Sequence, residues 1–513
     1  MNKSVSPTVF ATTLRASLAT LAVVLALSSV RADDTTTNLI KSLTLRECIA
    51  RALENNLEIK SQRINPSIGT WGVVNAQGVY DPVLSGTINN QSTTTWLSTS
   101  DAAGLGLPPG TERTKSWMAN AGLSGKLPSG ATYDFSAASD RSWGNTFTNT
   151  FNEFSGDAGV TLTQPLLRNF GFGVNAALIR IARENKTVAV QNFIQFVMTT
   201  ISNVANAYYE LVYAIENYKA AVENRELARE LLNQNRIQER VGTMSPLDVI
   251  QAEAGVAESE QSVITTARAI KDNENTLKRL ICQQVTEFRG VSMVPVDYPV
   301  VQMIALDVDE STRRALETRA DYQSAIHTLE SQNINVQFNH NQLWPEVNLT
   351  GTYNLNGLGY NVDSFSDNLS STRSPYWNVG VIVSVPLGNR QARANYHIAK
   401  LDADQALLSL KSLEQDIVVA VDNAVGHVET TLKSVEAARA ATRLAQESLD
   451  AEKRKLQAGT STTFLVLQAQ TQLATARVAQ IRAEADYYES LVALDLAEGT
   501  ILHKNDIVLD EKF

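Results

Sequence analysis

The sequence has few of the residues from which catalytic, metal and disulfide sites are built. Its 513 residues include 2 cysteines and 5 histidines. Two cysteines, Cys48 and Cys282, are too few for a disulfide framework or a zinc cluster, and no two histidines have zinc-protease spacing. The Gly-Phe-Gly sequence at 171–173 lacks the rest of a phosphate-binding fingerprint. The sequence therefore predicts no enzyme, no cofactor and no metal site.

A surplus of positive charge is also missing. Lysine and arginine number 44 against 54 aspartates and glutamates, which gives a net charge of −10. A nucleic-acid-binding protein needs a basic face to replace the counterions of the phosphates. The composition therefore predicts that the protein does not bind nucleic acid.

Long apolar runs are missing except near the N-terminus. There, residues 18–27 follow the basic residues Lys3 and Arg15 and precede a sequence at 30–32 that fits a cleavage site. This order is typical of a secretory signal peptide, which we place at 1–32; the alternative is an amphipathic start of the mature fold. The apolar run is too short to cross a bilayer as a helix. We expect any membrane span of the mature chain to be made of strands closed into a barrel.

The chain contains an internal duplication. Ala52-Leu53-Glu54 recurs as Ala315-Leu316-Glu317, 263 positions later, and Val241-Gly242-Thr243 recurs as Ala458-Gly459-Thr460, 217 positions later. Each copy is far longer than a solenoid repeat, so the pattern predicts two copies of one architecture. The predicted order in each copy is helix, strands, long helix, turn, long helix. The predicted repeats are residues 33–295 and 296–513.

Two regions, at about 80–165 and 344–386, are predicted to form strands. In the second region Val347, Leu349 and Tyr353 alternate with polar residues. Such alternation is typical of strands in a membrane barrel, although a strand of a soluble sandwich alternates as well. Five tryptophans fall in these two regions, as in the aromatic girdles of barrels. These are Trp96, Trp117, Trp143, Trp344 and Trp377.

Long helices are predicted at about 173–285 and 390–500. Apolar residues there recur every seven positions, as in Ile194, Ile201 and Tyr208, which favours coiled-coil packing. Gly242 and Gly459 suit the left-handed residue that ends a helix. Each long helix is therefore predicted to fold back into an antiparallel hairpin with a polar tip. The predicted tips comprise Val241, Gly242, Thr243, Ala458, Gly459 and Thr460.

Together these features resemble the TolC-like outer-membrane efflux protein family. The resemblance rests on the segment from Leu43-Thr44-Leu45 to Asn55-Asn56, on Gln164-Pro165-Leu166-Leu167, on the two Gly-Thr tips and on the duplication. It implies an α+β membrane protein with duplicated strand-pair and helical-hairpin repeats. It further implies a homotrimer whose strands form one shared transmembrane β-barrel, continued by a periplasmic α-helical barrel.

The resemblance also implies a function and partners. Family members are passive exit ducts in the outer membrane that extend into the periplasm, in tripartite efflux or type I secretion systems. They dock through the hairpin tips to the periplasmic adaptor of an inner-membrane pump. The alternative functions are a non-transporting structural tether and a soluble adaptor with coiled-coil hairpins.

Two departures from the family pattern bear on the pore. Asp248 matches an acidic gate position near the first tip, but the corresponding positions of the second hairpin, Leu465 and Gln468, carry no charge. Asp248 is therefore either a gate residue or simply an acid at a helix start. The first strand region also holds an additional predicted hairpin, 117–127 and 131–138. This hairpin either extends outside the cell or widens the barrel to six strands per chain.

Overall fold

The computed structural model describes residues 40–96, 98–105, 110–145, 149–297, 301, 306–371 and 373–509, so the predicted signal peptide lies outside the described residues. The helices are α1 Leu45–Asn55, α2 Leu57–Gln62, α3 Ile64–Gln77, α4 Thr99–Leu105, α5 Phe172–Asn175, α6 Ala177–Arg240, α7 Pro246–Ile281, α8 Val308–Thr318, α9 Ala320–Asn341, α10 Val362–Ser370, α11 Arg390–Gln457, α12 Thr463–Ala497 and α13 Ile501–Lys504. The strands are β1 Ile40–Leu43, β2 Val83–Trp96, β3 Thr111–Lys126, β4 Thr132–Asn145, β5 Thr150–Pro165, β6 Ser292–Pro295, β7 Glu346–Gly359 and β8 Pro375–Ser384. One-turn 3-10 helices lie at Gly78–Tyr80 and Val285–Phe288.

The two halves of the chain repeat the same elements at the offsets found in the sequence. Helices α1 and α8 begin 263 positions apart, and so do strands β2 and β7. Helices α7 and α12, which follow the two tips, begin 217 positions apart. The duplication therefore extends from the sequence to the order and the start of the structural elements.

Six antiparallel strands form one sheet in the order β2-β3-β4-β5-β7-β8. Strands β3 and β4 are the additional hairpin, and each pairs along its length with a neighbour on both sides. Their turn needs Gly130, whose φ is 95°, a value that side chains disfavour. Of the two roles left open for this hairpin, the structure selects the wider sheet. The first repeat thus contributes four strands, which corrects the expected strand pair, and the second contributes two.

One face of this sheet carries large apolar side chains on all six strands. The pairing registers run without interruption, so directly opposed residues share a face from β2 to β8. Leu84 on β2 is 80% exposed and Trp377 on β8 is 71% exposed, although both are large and apolar. The apolar face includes Leu84, Ile88, Trp117, Leu123, Phe135, Val160, Leu162, Leu349, Tyr353, Trp377, Val379, Val381 and Val383.

Below the sheet, the chain forms two long antiparallel helical hairpins. Helix α6 has 64 residues and α11 has 68, so each is on the order of 100 Å long at the α-helical rise. Helix α6 starts at Ala177, after the short helix α5, and not at Gly173 as predicted. Helix α7 packs along α6 and α12 along α11, while α9 lies against both α6 and α11. None of the described helices combines the length and the apolarity needed to cross a bilayer.

The main hydrophobic core lies part of the way along these helices. It gathers residues of α1, α6, α7 and β6 around Tyr208, which is fully buried. The Tyr208 hydroxyl donates to the Leu43 carbonyl at 3.3 Å and accepts from the Asp297 amide at 3.1 Å. Cys48 and Cys282 are both buried in the same core. Burial raises the pKa of Cys48 to about 12, so this thiol stays protonated and inert.

Candidate functional site

The two hairpin tips lie at the end of the long helices that is remote from the sheet. In the first tip the amide of Gly242 donates to the Glu239 carbonyl, and the amide of Thr243 to the Gln238 carbonyl, both at 2.9 Å. This pair of bonds is a Schellman motif, which requires a left-handed residue; φ of Gly242 is 80°. The prediction that Gly242 ends the helix in this way is confirmed.

The second tip repeats this geometry. Gly459 has a φ of 74°, and its amide donates to the Leu456 carbonyl at 3.0 Å. The Thr460 amide donates to the Lys455 carbonyl at 2.9 Å. All six predicted tip residues are exposed, and the apolar side chain of Val241 is 73% exposed. The tips are therefore well-defined turns whose side chains are free to contact another molecule.

Hydroxyl caps begin the helix after each tip. The Ser245 hydroxyl accepts from the Leu247 amide at 3.2 Å, and Pro246 stands where no backbone donor is needed, as predicted. At the second tip Thr462 accepts from the Leu465 amide at 3.4 Å. Sequence reasoning missed this cap, although a threonine directly before an apolar run is the usual signal.

A buried asparagine joins the two tips. Asn235 of α6 has no exposed surface, and its Nδ2 donates to the Asp248 carbonyl and to the Thr463 hydroxyl, both at 3.3 Å. Leu231 of α6 packs against Val466 of α12 beside it. The two hairpins therefore end side by side as one unit. Sequence reasoning missed this contact because its partners lie 228 positions apart.

Asp248 lies in the first turn of α7, where a negative charge favours the helix. Its side chain is half-buried, and its carboxylate forms no hydrogen bond or ion pair within the described ranges. Leu465, at the matching position of the second hairpin, is 42% exposed. The Asp248 carboxylate is thus available to bind another group. At this position only the first of the two hairpins carries an acid.

A charged network joins α6 to α12 between the tips and the main core. The Arg482 guanidinium contacts Glu210 of α6 at 2.7 Å and Glu489 of α12 at 3.2 Å, and it also pairs with Asp486. It lies over the ring of Tyr213, 5.0 Å from the centroid. One cation therefore holds three carboxylates together. Sequence reasoning missed this network because Glu210 and Arg482 are 272 positions apart.

Burial raises the pKa of Glu489 from its ordinary 4.5 to about 7. Arg482 lowers this pKa, while the nearby charges of Glu210 and Asp486 raise it. Below pH 4.5 the side chain is protonated in the folded and the unfolded chain alike. As the pH rises, the unfolded chain loses this proton first, so folding stability falls until about pH 7 and is then constant.

Replacing Glu489 by glutamine should remove this dependence on pH. We expect Glu489→Gln to stabilise the protein by about 2 kcal/mol at pH 8 and to change little at pH 4.5, since only the charged form is penalised. Thermal unfolding of the purified protein at both pH values measures the difference. Glu447→Gln, on an exposed part of α11, is the control. An equal effect of Glu489→Gln at both pH values would contradict the assignment.

The second face of the sheet is polar and acidic. All six acidic residues of the six strands lie on this face, by the pairing registers. Asp140, Glu153 and Asp157 line a groove of about 880 Å³ together with Asn120 and Asn356. In the described part of the chain, no three His, Cys, Asp or Glu side chains are placed to hold a metal ion. The acidic residues of the polar face are Glu112, Asp134, Asp140, Glu153, Asp157 and Glu346.

The known proteins that are similar to this chain are outer-membrane proteins. A family model described as outer membrane efflux protein matches residues 120–283 and 312–500. The chain is 25% identical to the outer membrane efflux protein BepC of Brucella suis biovar 1 (strain 1330) over 353 residues, which are 67% of this chain and 72% of BepC. It is 23% identical to the outer membrane protein TolC of Salmonella enteritidis over 322 residues, 61% of this chain and 63% of TolC.

Solved structures of outer-membrane channels share the fold. The channel OprN superposes with a TM-score of 0.66 at 19% identity, over 89% of this chain and 90% of OprN. CmeC of Campylobacter jejuni superposes with a TM-score of 0.64 at 18% identity, over 89% of this chain and 85% of CmeC. At these identities the structures show the fold alone. The family model, however, matches more than half of the chain, which confirms the predicted family, its outer-membrane location and its role in efflux: the chain belongs to the outer membrane efflux protein family.

Proposed function

We propose that the protein is the outer-membrane exit duct of a tripartite efflux or type I secretion system, which passively conducts cargo delivered by an inner-membrane pump and its adaptor. The observation that carries this proposal is the combination of two surfaces at opposite ends of one molecule. At one end the sheet exposes a largely apolar face, which suits lipid. At the other end two helical hairpins present exposed tips. A protein of this form would contact the outer membrane and a periplasmic partner at once.

We propose that three chains share one barrel. Strands β2 and β8 form the two edges of the described sheet, and each is paired on one side only. Unpaired edges of this length template pairing with another strand, and three copies joined edge to edge would close a barrel of eighteen strands. Barrels of 16–18 strands leave a water-filled channel. A ring of three also follows naturally from a repeated head-to-tail contact.

Exposed apolar residues on the helices support the same assembly. On α3, Ile64, Ile68 and Trp71 recur at helical spacing and are each more than half exposed. On α11, Leu401 and Leu408 are both 66% exposed, one heptad apart. Such stripes suit a coiled-coil partner. A neighbouring copy of the chain would cover them and continue the helical layer into a barrel in the periplasm.

In this assembly the hairpin tips would dock to the adaptor. Each tip presents a short polar turn flanked by exposed apolar residues, such as Val241 before Gly242 and Phe464 after Gly459. We propose in addition that Asp248 contributes to a periplasmic gate. Its carboxylate would be repeated three times around the axis, whereas Leu465 would place no second charged ring beside it.

Reconstitution of the mature protein tests the proposal. We expect light scattering in nanodiscs to give three times the mass of one chain, and planar bilayers to show discrete conductance steps. A stable trimer in the membrane without conductance would indicate the structural tether. A monomer in native-like lipid that does not conduct would overturn the shared barrel.

The acids of the polar face should make the duct favour cations. We expect the triple substitution Asp140→Asn, Glu153→Gln and Asp157→Asn to lower the cation-to-anion permeability ratio by about twofold or more at low salt, because the summed field in the pore weakens. Reversal potentials across a salt gradient measure the ratio. Lys115→Gln changes a charge on the opposite face of the sheet and should leave the ratio unchanged. An unchanged ratio in the triple variant would place these acids outside the conduction path.

A further inference from the structure

Charges in the sheet are sorted by face, apart from Lys126 on the polar face. The six acids lie on the polar face, whereas Arg113, Lys115 and Arg141 lie on the apolar face. Lysine and arginine are costly in contact with hydrocarbon, and this cost falls to near zero at the membrane interface. Three basic residues lie on the apolar face with no acid among them. We therefore expect polar groups of the membrane interface, and not hydrocarbon, to surround them. We refer to Arg113, Lys115 and Arg141 as the basic cluster.

The basic cluster lies at the end of the sheet remote from the long helices α6 and α11, the end on which the short helix α10 packs. Arg113 and Lys115 are near the start of β3, and Arg141 is near the end of the antiparallel strand β4. From Trp117 down to Leu123 the same face of β3 carries no charge. The basic cluster therefore marks one border of the apolar face, at the level where lipid headgroups replace acyl chains.

Arg141 is held in place by its neighbours. Its guanidinium lies 4.9 Å from the ring centroid of Trp143 and 5.1 Å from that of Phe154. Its Nε donates to the Asn152 side-chain oxygen at 3.1 Å. Stacking of this kind fixes the plane of an arginine while leaving its outer nitrogens free to donate. Arg141 is thus prepositioned, and it remains exposed.

Among the residues that the structure describes, no carboxylate neutralises the basic cluster. Within the described ranges, none of the three side chains lies within ion-pair distance of an aspartate or glutamate. In the pairing of β3 with β4, Lys115 is opposite Trp143 and Trp117 is opposite Arg141, so Lys115 and Arg141 are diagonal neighbours about 7–8 Å apart. At this separation of the two backbones, the long side chains of Lys115 and Arg141 can both reach one phosphate.

We propose that the basic cluster binds the phosphate groups of a lipid headgroup in the outer leaflet, with the acyl chains of that lipid against the apolar face. The inference rests on the proposed function, since this places the remote end of the sheet at the cell surface. Arginine binds phosphate through two parallel hydrogen bonds, and lysine as a point charge. The apolar face directly below the cluster favours an amphiphile over free phosphate.

Native mass spectrometry of protein in nanodiscs tests the inference. The nanodiscs contain phosphatidylcholine with diphosphorylated lipid A as the probe. We expect the triple variant Arg113→Gln, Lys115→Gln and Arg141→Gln to retain lipid A about tenfold less than the unchanged protein. Inorganic phosphate should not displace the lipid, because it lacks acyl chains; displacement would identify a free-phosphate site and overturn the lipid assignment.

Two controls separate this inference from the proposed function. Lys126→Gln removes a basic residue from the polar face of the same sheet and should retain lipid A normally. The triple variant should still conduct in planar bilayers, since the basic cluster faces away from the pore. Normal conductance with unchanged lipid A retention would overturn the lipid site alone. Failure of the unchanged protein to insert and conduct would overturn the proposed function, and the lipid site with it.

Discussion

Export should be lost when both tip glycines are replaced by valine. Gly242 and Gly459 have φ values of 80° and 74°, and a residue with a Cβ pays about 1–2 kcal/mol in that region. The valines would open both Schellman turns and displace Thr243 and Thr460. If three chains dock through six tips, the loss of affinity for the adaptor at each tip multiplies across the assembly. We therefore expect export to fall about tenfold or more. Cargo retention in cells that carry only the variant measures the effect.

A glycine inside a helix provides the matched control. Gly426 lies in α11 on an exposed surface, and a Cβ added there meets no atom within 4 Å. Gly426→Val should leave export unchanged. Light scattering should show that the tip variant has the same assembly as the unchanged protein, because the tips lie far from the sheet. Normal export by the tip variant would refute docking through the tips.

Replacing Arg482 by methionine should destabilise the protein by about 2 kcal/mol at pH 8. Methionine keeps much of the side-chain volume but removes the cation that Glu210, Asp486 and Glu489 share. Breaking a buried ion pair costs about 3–5 kcal/mol; we expect less because the Arg482 side chain is 32% exposed. Chemical unfolding monitored by helical circular dichroism measures the loss.

The cost of losing Arg482 should also depend on pH. At pH 5 Glu489 is protonated in the fold, so fewer uncompensated charges remain and the destabilisation should be smaller. Arg268→Met is the control, because Arg268 is 74% exposed and pairs with Asp272 one turn away; exposed pairs contribute about 0–1 kcal/mol. A cost for Arg482→Met no larger than this would show that the network does not stabilise the junction of α6 with α12.

Several features could be predicted because their signals are local. Gly242 and Gly459 stand where only a left-handed residue ends a helix, and the Ser245-Pro246 start follows from the chemistry of helix caps. The heptads around Ile201 and Tyr208 repeat within one helix. On β7, alternation places Leu349 and Tyr353 on one face whatever strand lies beside them.

Other features depend on residues that are distant in the sequence. The place of the β3–β4 hairpin depends on which strands pair. The same sequence is compatible with an extension outside the cell and with a barrel of six strands per chain. Arg482 meets Glu210 only because α12 packs on α6, and Asn235 meets Thr463 for the same reason. No periodic pattern in the sequence predicts such contacts, because they arise from the packing of helices whose contacting residues are more than 200 positions apart.

Residue order alone was enough to predict the duplication, the hairpin tips and the alternating strands. Each of these follows from residue spacing within a segment or from the repetition of a segment. Tertiary packing set the pairing of six strands in one sheet, the contact of Arg482 with α6, and the faces of the sheet on which the charged residues lie. All six strand acids lie on one face, and three of the four basic residues in these strands lie on the other. The reason is register: the partners on neighbouring strands and helices are set by how the whole chain packs, and a shift of one residue in a strand would exchange its two faces.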